Sequence, residues 1–175
     1  LDNIRNKVGI ILQDVFLFAD TIFNNIALYN DQISLKDVQS AAKKLEIHEF
    51  ISSLPNGYNF NVSERGVTLS SGQRQLIAFL RVLVNNPDIL ILDEATSSID
   101  SYSEDLIKNA TKKITKGKTS IIIAHRLSTI ESADKIIYME NGVILEQGNH
   151  KELLKIEDGK YKKLHKEQLF MEELI

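Results

Sequence analysis

Residues 67–83 read VTLSSGQRQLIAFLRVL, a stretch that joins a helix start to a long apolar pattern. Its first part carries small hydroxyl residues and a glycine, which are typical of helix N-termini. The rest has the periodicity of a helix that packs on a core, and we predict a helix from about Gly72 to Val84. The positive end of such a helix suits an anion. The stretch therefore predicts either an ordinary N-cap at Ser70 or a phosphate-binding helix start, and its residues do not decide between the two.

A phosphate-binding helix usually comes with the loop G-x-x-x-x-G-K-[ST], which none of the eight glycines begins. The nearest segment is Gly117-Lys118-Thr119, but Lys112 stands where the upstream glycine belongs. A strand pattern follows this segment, whereas a phosphate loop needs a helix after it. We therefore predict that Gly117-Lys118-Thr119 is a turn that leads into a strand.

The composition excludes several classes of protein. The 175 residues are 43% hydrophobic, which is enough for a core, and no apolar run approaches the roughly 18 residues that cross a bilayer. A net charge of −3, with basic residues scattered among acidic ones, argues against nucleic acid as a partner. The lack of cysteine removes disulfides and thiolate metal sites. The chain begins with Leu1 directly before a strand pattern, so we expect further sequence upstream.

Apolar runs separated by helical patterns predict an α/β fold with a parallel sheet. Such runs, without polar alternation, are typical of strands that are buried on both faces. The four runs are VGIIL (8–12), ILIL (89–92), SIIIA (120–124) and KIIYM (135–139). Two further helices are predicted, one capped by Ser34 with Asp37 in its first turn and one over about 103–114. Asn141-Gly142 predicts a two-residue hairpin turn after the last run, and the tail after Asn149 is expected to be helical.

Polar side chains follow three of these runs at the point where each run ends. Gln13 follows the first, Asp93-Glu94 follows the second and His125 follows the third. Ligands of open parallel sheets bind at the carboxyl ends of strands. At that edge Asp93 can hold Mg²⁺ through its water shell, and Glu94 can activate a water molecule. His125 can donate a hydrogen bond to a terminal phosphate, and the amide oxygen of Gln13 can touch Mg²⁺ or its water. The plain alternatives are a charged loop, a core histidine and a surface glutamine.

In this order, the residues resemble one family, the nucleotide-binding domains of exporter-type ABC transporters. Gln13-Asp14 is similar to the Q-loop, and Leu69-Ser70-Ser71-Gly72-Gln73 is similar to the LSGGQ signature. Residues 89–100, ILILDEATSSID, resemble Walker B followed by the D-loop that ends in Asp100. AHRLST resembles the segment of the switch histidine.

Two more segments extend the resemblance over nearly the whole chain. Glu64-Arg65-Gly66 resembles the exporter segment before the signature, and KIIYMENGVILEQGNHKELL resembles the C-terminal stretch of exporters. Two departures stand out. Ser71 replaces the first glycine of the signature pair, and the Walker A loop has no counterpart in the chain.

The resemblance implies a P-loop NTPase fold of the RecA-like type, an α/β core with an inserted helical signature subdomain. The helical subdomain would span about 14–86, and the core would comprise 1–13 and 87–175. The N-terminal Walker A part is expected to be missing. The family's Walker A strand lies between the SIIIA and KIIYM strands, so we expect two strand edges without partners. The expected result is a destabilised fragment that dimerises, swaps elements or leaves the KIIYM strand loosely docked.

The resemblance also implies an ATPase that works with Mg²⁺ in a head-to-tail pair of domains. The signature helix of one domain then meets ATP held by the other, so the anion of the opening stretch belongs to a partner. The catalytic residues would be Glu94 as general base and His125 as the γ-phosphate contact, and the Mg²⁺ would be served by Gln13 and Asp93. The residues implied to contact ATP are Gln13, Ser70, Ser71, Gly72, Gln73, Asp93 and Asp100.

The implied function is ATP hydrolysis that drives export across a membrane, with the domain on the cytoplasmic face against the transmembrane domain of the same transporter. Gln13 and Glu64 would lie near that contact, and the isolated chain is expected to be inactive. One alternative is a non-catalytic interaction fragment. Another is a chromosome or DNA-repair ATPase, which would carry a long coiled coil before the signature. Only 55 residues separate Gln13 from Leu69, and they hold no sustained heptad pattern.

Overall fold

The structure, a computed structural model, describes residues 7–63, 66, 68–93, 101–124 and 127–172. The chain divides into two compact units, Leu1–Ile123 and Ala124–Ile175. Each unit has its own cluster of buried apolar side chains. This division differs from the one expected between 14–86 and the rest of the chain, and the boundaries of a signature subdomain stay a prediction. None of the helices in the described ranges is both long and apolar enough to span a membrane.

The first unit is built on a parallel sheet. Its three strands are β1 (Val8–Ile11), β2 (Ile89–Asp93) and β3 (Thr119–Ile123), in the order β1-β2-β3. The register aligns Ile10 with Ile91 and Ile91 with Ile121. The α/β class and the first three predicted strands are confirmed.

Five α-helices and a short 3-10 turn (Gly57–Asn59) complete the described part of the first unit. The helices are α1 (Ile22–Ala27), α2 (Leu35–Lys44), α3 (His48–Ser53), α4 (Ser71–Asn85) and α5 (Ser101–Thr115). Helix α4 packs against α1, α2, α5 and β1, and eight of its fifteen residues are buried. The predicted helices at about 72–84 and 103–114 are confirmed with slightly wider bounds. The predicted cap of α2 is also confirmed, because Ser34 and Asp37 form a reciprocal capping box.

Only one face of the three-stranded sheet is covered. Ile11, Leu90 and Leu92 are buried in the same apolar cluster as residues of α4 and α5. The alternate positions, Ile10 and Ile121, are 54% and 58% exposed. The expectation that the strands are buried on both faces was therefore wrong for the described structure. The physical reason is that the apolar cluster packs on one face of the sheet. In these strands a continuous apolar run is therefore not evidence that both faces are buried.

The second unit contains a hairpin and three helices in its described part. Its elements are α6 (Leu127–Glu131), β4 (Ile136–Glu140), β5 (Val143–Gly148), α7 (His150–Leu153) and α8 (Lys160–Glu172). Strands β4 and β5 pair antiparallel, and Asn141 and Gly142, with φ of 50° and 77°, form the predicted two-residue turn between them. The helical tail is likewise confirmed.

The fourth predicted strand is present, but its placement in the parallel sheet was wrong. Strand β4 belongs to a separate two-stranded sheet with β5. The apolar run alone does not indicate the strand with which β4 pairs. The predicted Asn141-Gly142 turn does indicate it, since β4 pairs with the segment that follows this turn. Within the described ranges, β3 pairs only with β2 and β4 pairs only with β5, so the expected unpartnered edge is present on each of these strands.

Gly9 provides a test of the packing between the sheet and the loop that follows α4. A Cβ atom at Gly9 would lie 2.6 Å from Cγ of Pro87 and 3.2 Å from side-chain atoms of Leu90 and Val82. We expect Gly9→Ala to lower the free energy of unfolding by about 1–3 kcal/mol, because a proline ring cannot move aside cheaply. Urea denaturation of the chain measures this change.

The matched control is Ser120→Ala. Gly9 and Ser120 flank Leu90 in the same row of the sheet, but Ser120 is exposed. Its replacement should stay within about 0.5 kcal/mol of the parent chain. Equal effects of the two substitutions would show that Gly9 is not held against Pro87.

Candidate functional site

The carboxyl ends of the parallel strands bring predicted site residues to one edge of the sheet. Asp93 is the last residue of β2, is partly buried, and is aligned with Ile123 of β3. Gln13 lies two residues beyond the end of β1 and is exposed. Since Ile11 is aligned with Leu92, Gln13 and Asp93 leave the sheet at the same end of neighbouring strands. This is the position at which parallel sheets bind ligands.

Several predicted site residues lie outside the described residues, namely Glu64, Glu94, Asp100 and His125. In the sequence, Glu94 directly follows Asp93, and His125 comes two residues after the end of β3. The roles assigned to these four residues stay predictions.

A narrow cleft opens between this edge of the sheet and the helices that cover it. Gln75 of α4 and Asp93 of β2 contribute polar groups. The other lining residues are Ile11, Phe79, Leu92, Ile107, Thr111 and Ile122. Among the described residues, the side chains that line the cleft include no lysine or arginine. A triphosphate needs cationic and N–H donors, so the cleft is not by itself a triphosphate pocket.

The start of α4 is an ordinary capped helix N-terminus. Ser70 has extended backbone angles, and its Oγ accepts a hydrogen bond of 3.2 Å from the N–H of Gln73. The side-chain oxygen of Gln73 accepts a hydrogen bond of 3.0 Å from the N–H of Ser70. The N-cap interpretation is confirmed. Of the two residues between Ser70 and Gln73, Gly72 is buried and Ser71 is partly buried. That Ser70, Ser71, Gly72 and Gln73 contact a phosphate stays a prediction.

The segment that enters α4 is fixed by Arg74. Its Nη1 donates a hydrogen bond of 2.7 Å to the carbonyl of Leu69. Gly66 has a φ of 67°, and a Cβ atom there would lie 2.9 Å from Cδ of Arg74. A glycine is required at this position because the backbone is left-handed and passes close to the arginine. Arg74 therefore contacts both the turn at Gly66 and the residue before the N-cap, and it holds the turn against the start of α4.

Asn25 anchors the loop that follows Gln13 and was not identified from the sequence. The residue is fully buried. Its Nδ2 donates hydrogen bonds of 3.0 Å to the carbonyls of Phe18 and Thr21, and its Oδ1 accepts one of 2.8 Å from the N–H of Phe18. One side chain thus satisfies three backbone groups of the loop and of the start of α1.

Arg81 joins this loop to α4. Its Nε donates a hydrogen bond of 2.9 Å to the carbonyl of Asn25, and its Nη2 donates one of 3.4 Å to the carbonyl of Phe16. Burial lowers the pKa of the Arg81 guanidinium from its usual range. The sequence signal was a single cation inside the apolar run LIAFLRVLV, since such a charge needs buried acceptors.

Gly117-Lys118-Thr119 is a turn that enters β3, as predicted. Gly117 has a φ of 74°, and β3 starts at Thr119. The Lys118 ammonium donates to Oδ1 of Asn86 at 2.8 Å and to the carbonyl of Pro87 at 2.7 Å. Burial lowers the pKa of Lys118, despite the opposing effect of Asp88. This lysine holds the loop between α4 and β2.

Comparisons with known proteins agree with the motifs. A family model described as ABC transporter matches residues 1–97. The leukotoxin export ATP-binding protein LtxB of Aggregatibacter actinomycetemcomitans is 52% identical over 166 residues, which are 95% of this chain and 24% of LtxB. The alpha-hemolysin translocation ATP-binding protein HlyB of Escherichia coli O6:H1 is 53% identical over 165 residues, which are 94% of this chain and 23% of HlyB.

A solved structure gives the same result. The structure of a bacterial Atm1-family ABC exporter with ATP bound has a TM-score of 0.84 and 43% sequence identity to this chain. The match covers 95% of this chain and 29% of that one. The chain thus spans about a quarter of the length of the proteins that it matches.

The anchoring role of Asn25 can be tested by truncation. We expect Asn25→Ala to lower the free energy of unfolding by about 2–4 kcal/mol, because buried backbone groups that lose a partner cost about 1–3 kcal/mol each. Chemical denaturation monitored by circular dichroism measures the change.

Asn24→Ala is the matched control on the adjacent helical residue. Asn24 is only partly buried, and its side chain makes one hydrogen bond of 2.9 Å, to Asp20. Its loss should cost less than about 1 kcal/mol. A similar cost at both positions would contradict the anchoring role of Asn25.

Proposed function

Since this chain belongs to the ABC transporter family, we propose that it is the ATP-hydrolysing part of an exporter, which couples hydrolysis to the movement of a substrate across a membrane. The observation that carries this proposal is the end of β2. Asp93 lies at the carboxyl edge of a parallel sheet, and Glu94 is the next residue in the chain. Adjacent carboxylates at this edge suit the handling of a metal-bound phosphate and of its attacking water.

The donor set at the edge fits Mg²⁺, which prefers oxygen ligands and keeps several of its waters. Asp93 would hold the ion through its water shell, and the amide oxygen of Gln13 would reach the ion or its water. The bound ion neutralises charge on the phosphates. Glu94 would take the proton of the attacking water, and His125 would donate a hydrogen bond to the terminal phosphate.

The triphosphate at the Asp93 edge is proposed to need phosphate donors beyond those of the described cleft. The sequence contains no G-x-x-x-x-G-K-[ST] loop, and Lys118 is engaged by Asn86 and Pro87. The cleft beside Asp93 presents no cation to a phosphate. In a head-to-tail pair of domains, the start of α4, with Ser70 to Gln73, would contact the ATP that the second domain holds.

The loop after Gln13 is proposed to contact the transmembrane part of the exporter from the cytoplasmic face. Phe16 and Phe18 are 54% and 46% exposed, although both are large and apolar. Their rings meet edge to face at 5.2 Å, and their backbones are held by Asn25 and Arg81. An apolar pair with a fixed backbone, close in the chain to the proposed Mg²⁺ contact of Gln13, is suited to carry a movement at the ATP site to another protein surface.

The first test concerns the general base. Glu94→Gln in the full-length gene product should lower ATP turnover by about 10²–10⁴ and leave ATP binding intact, because the amide keeps the shape but cannot take a proton. Phosphate release and equilibrium nucleotide binding are the two measurements.

The control is Asp88→Asn, which removes an exposed carboxylate at the opposite end of β2. Turnover by this variant should match that of the parent. Undiminished turnover by Glu94→Gln would remove Glu94 from the mechanism.

The second test separates capping from phosphate contact at α4. Gln73→Glu keeps an oxygen acceptor for the N–H of Ser70 and adds negative charge to the positive end of the helix. The variant should be as stable as the parent or more stable by about 0.3–1 kcal/mol. If the same helix end meets ATP, the added charge repels the phosphates, and the full-length variant should show weaker nucleotide-driven association and slower turnover. Unchanged turnover would mean that this helix end serves only as a cap.

A further inference from the structure

Three side chains with metal-binding groups converge in the second unit. They are Glu131 at the end of α6, His150 at the start of α7 and His165 in α8. One ligand atom of each lies within 4.8 Å of the ligand atoms of the other two. These residues are far apart in the sequence, so the folding of the unit, and not local spacing, brings them together.

Two of the three side chains already make a direct contact. Nε2 of His165 lies 2.8 Å from Oε1 of Glu131. His165 is only 9% exposed, whereas Glu131 lies at the surface. The group therefore has a buried side and a side that opens to solvent. An ion can enter from that side, and water can complete its coordination.

The second histidine is held in place by a buried tyrosine. Nδ1 of His150 lies 2.7 Å from the hydroxyl of Tyr161, which is 2% exposed. The hydroxyl oxygen of Tyr161 can accept a hydrogen bond from Nδ1–H of His150, which leaves Nε2 of His150 free to bind an ion. Histidine ligands of metals are usually oriented by such a contact through the ring nitrogen that does not bind the ion.

The three ligand atoms are close enough together for one zinc ion to bind all of them after a small adjustment. Zn²⁺ with bonds of about 2.0–2.1 Å in a tetrahedral site places its ligand atoms about 3.3 Å from one another. The three ligand atoms lie within 4.8 Å of one another, and the direct His165–Glu131 contact of 2.8 Å would have to widen by about 0.5 Å to admit the ion. An ion pair and a His–Tyr hydrogen bond would explain each contact alone. They do not require the imidazole rings of His150 and His165 to approach to 5.1 Å.

We propose that Glu131, His150 and His165 bind one Zn²⁺ ion, with water as the fourth ligand. Two imidazoles and one carboxylate form a donor set that zinc uses in sites with an open position. The ion would connect α6, α7 and α8 within the second unit. This site is independent of the ATP chemistry proposed above and would exist in a chain that hydrolyses nothing.

The test is a calorimetric titration of Zn²⁺ into the 175-residue chain after treatment with a chelator and desalting. We expect one ion per chain and a higher midpoint of thermal unfolding with the metal present. Tyr161→Phe removes a contact outside the ligand set and should weaken Zn²⁺ binding by about 10–100-fold. His150→Gln and His165→Gln each remove a ligand and should weaken binding at least as much. Glu131→Gln removes the anionic ligand at an exposed position, so it serves even if the buried histidine variants fold poorly.

His48→Gln is the matched control. Nδ1 of His48 also lies near a tyrosine hydroxyl, that of Tyr58 at 2.9 Å, but His48 belongs to no group of potential ligands among the described residues. This variant should bind Zn²⁺ as the parent does. The proposal would be overturned if the parent did not bind one Zn²⁺ ion per chain. It would also be overturned if the Glu131 and His150 variants bound Zn²⁺ as tightly as the parent. Co²⁺ provides a second readout, since its absorption spectrum reports tetrahedral coordination by these ligands.

Discussion

The burial of helix α4 is the constraint on which the first unit depends. Its buried residues include Leu76, Ile77, Phe79 and Leu80, and the helix contacts three other helices and a strand of the sheet. Burial of a side chain of this kind stabilises a fold by about 1.5–3 kcal/mol. Because the core forms around α4, the start of the helix is held in place with the core. The signature residues lie at that start.

The two ends of α4 are fixed by different means. The capping box of Ser70 and Gln73 closes the first turn. At the other end Asn86 adopts a left-handed conformation with a φ of 45°, and Lys118 binds Asn86 and Pro87. Strand β2 begins at Ile89, directly after this loop. The position of α4 therefore fixes the position of the strand that carries Asp93. Arg81 fixes the loop after Gln13 to the same helix through the carbonyls of Asn25 and Phe16.

The sequence correctly predicted the elements that are determined by residues close to one another in the chain. The apolar period of α4, the Ser34–Asp37 cap and the Asn141-Gly142 turn each depend on residues that are close in sequence. The separation of β4 from the parallel sheet, the uncovered sheet face and the bonds of Arg81 depend on which segments meet in space. Arg81 and the carbonyl that it binds on Phe16 are 65 positions apart, and no spacing rule relates them. For the candidate site, the sequence located Gln13 and Asp93 at strand ends, but it could not identify Asn25 as the anchor of the loop that follows Gln13.

The uncovered face of the sheet has a consequence for the behaviour of the chain in solution. Ile10, Ile121 and Ile123 are each more than half exposed, and the described part of the chain offers β3 only one strand neighbour. Apolar surface beside a free row of backbone N–H and C=O groups is the arrangement at which sheets of separate molecules add to one another. Self-association of this chain is therefore expected to begin at β3, to grow with protein concentration, and to respond to a charged residue placed at position 121 or 123.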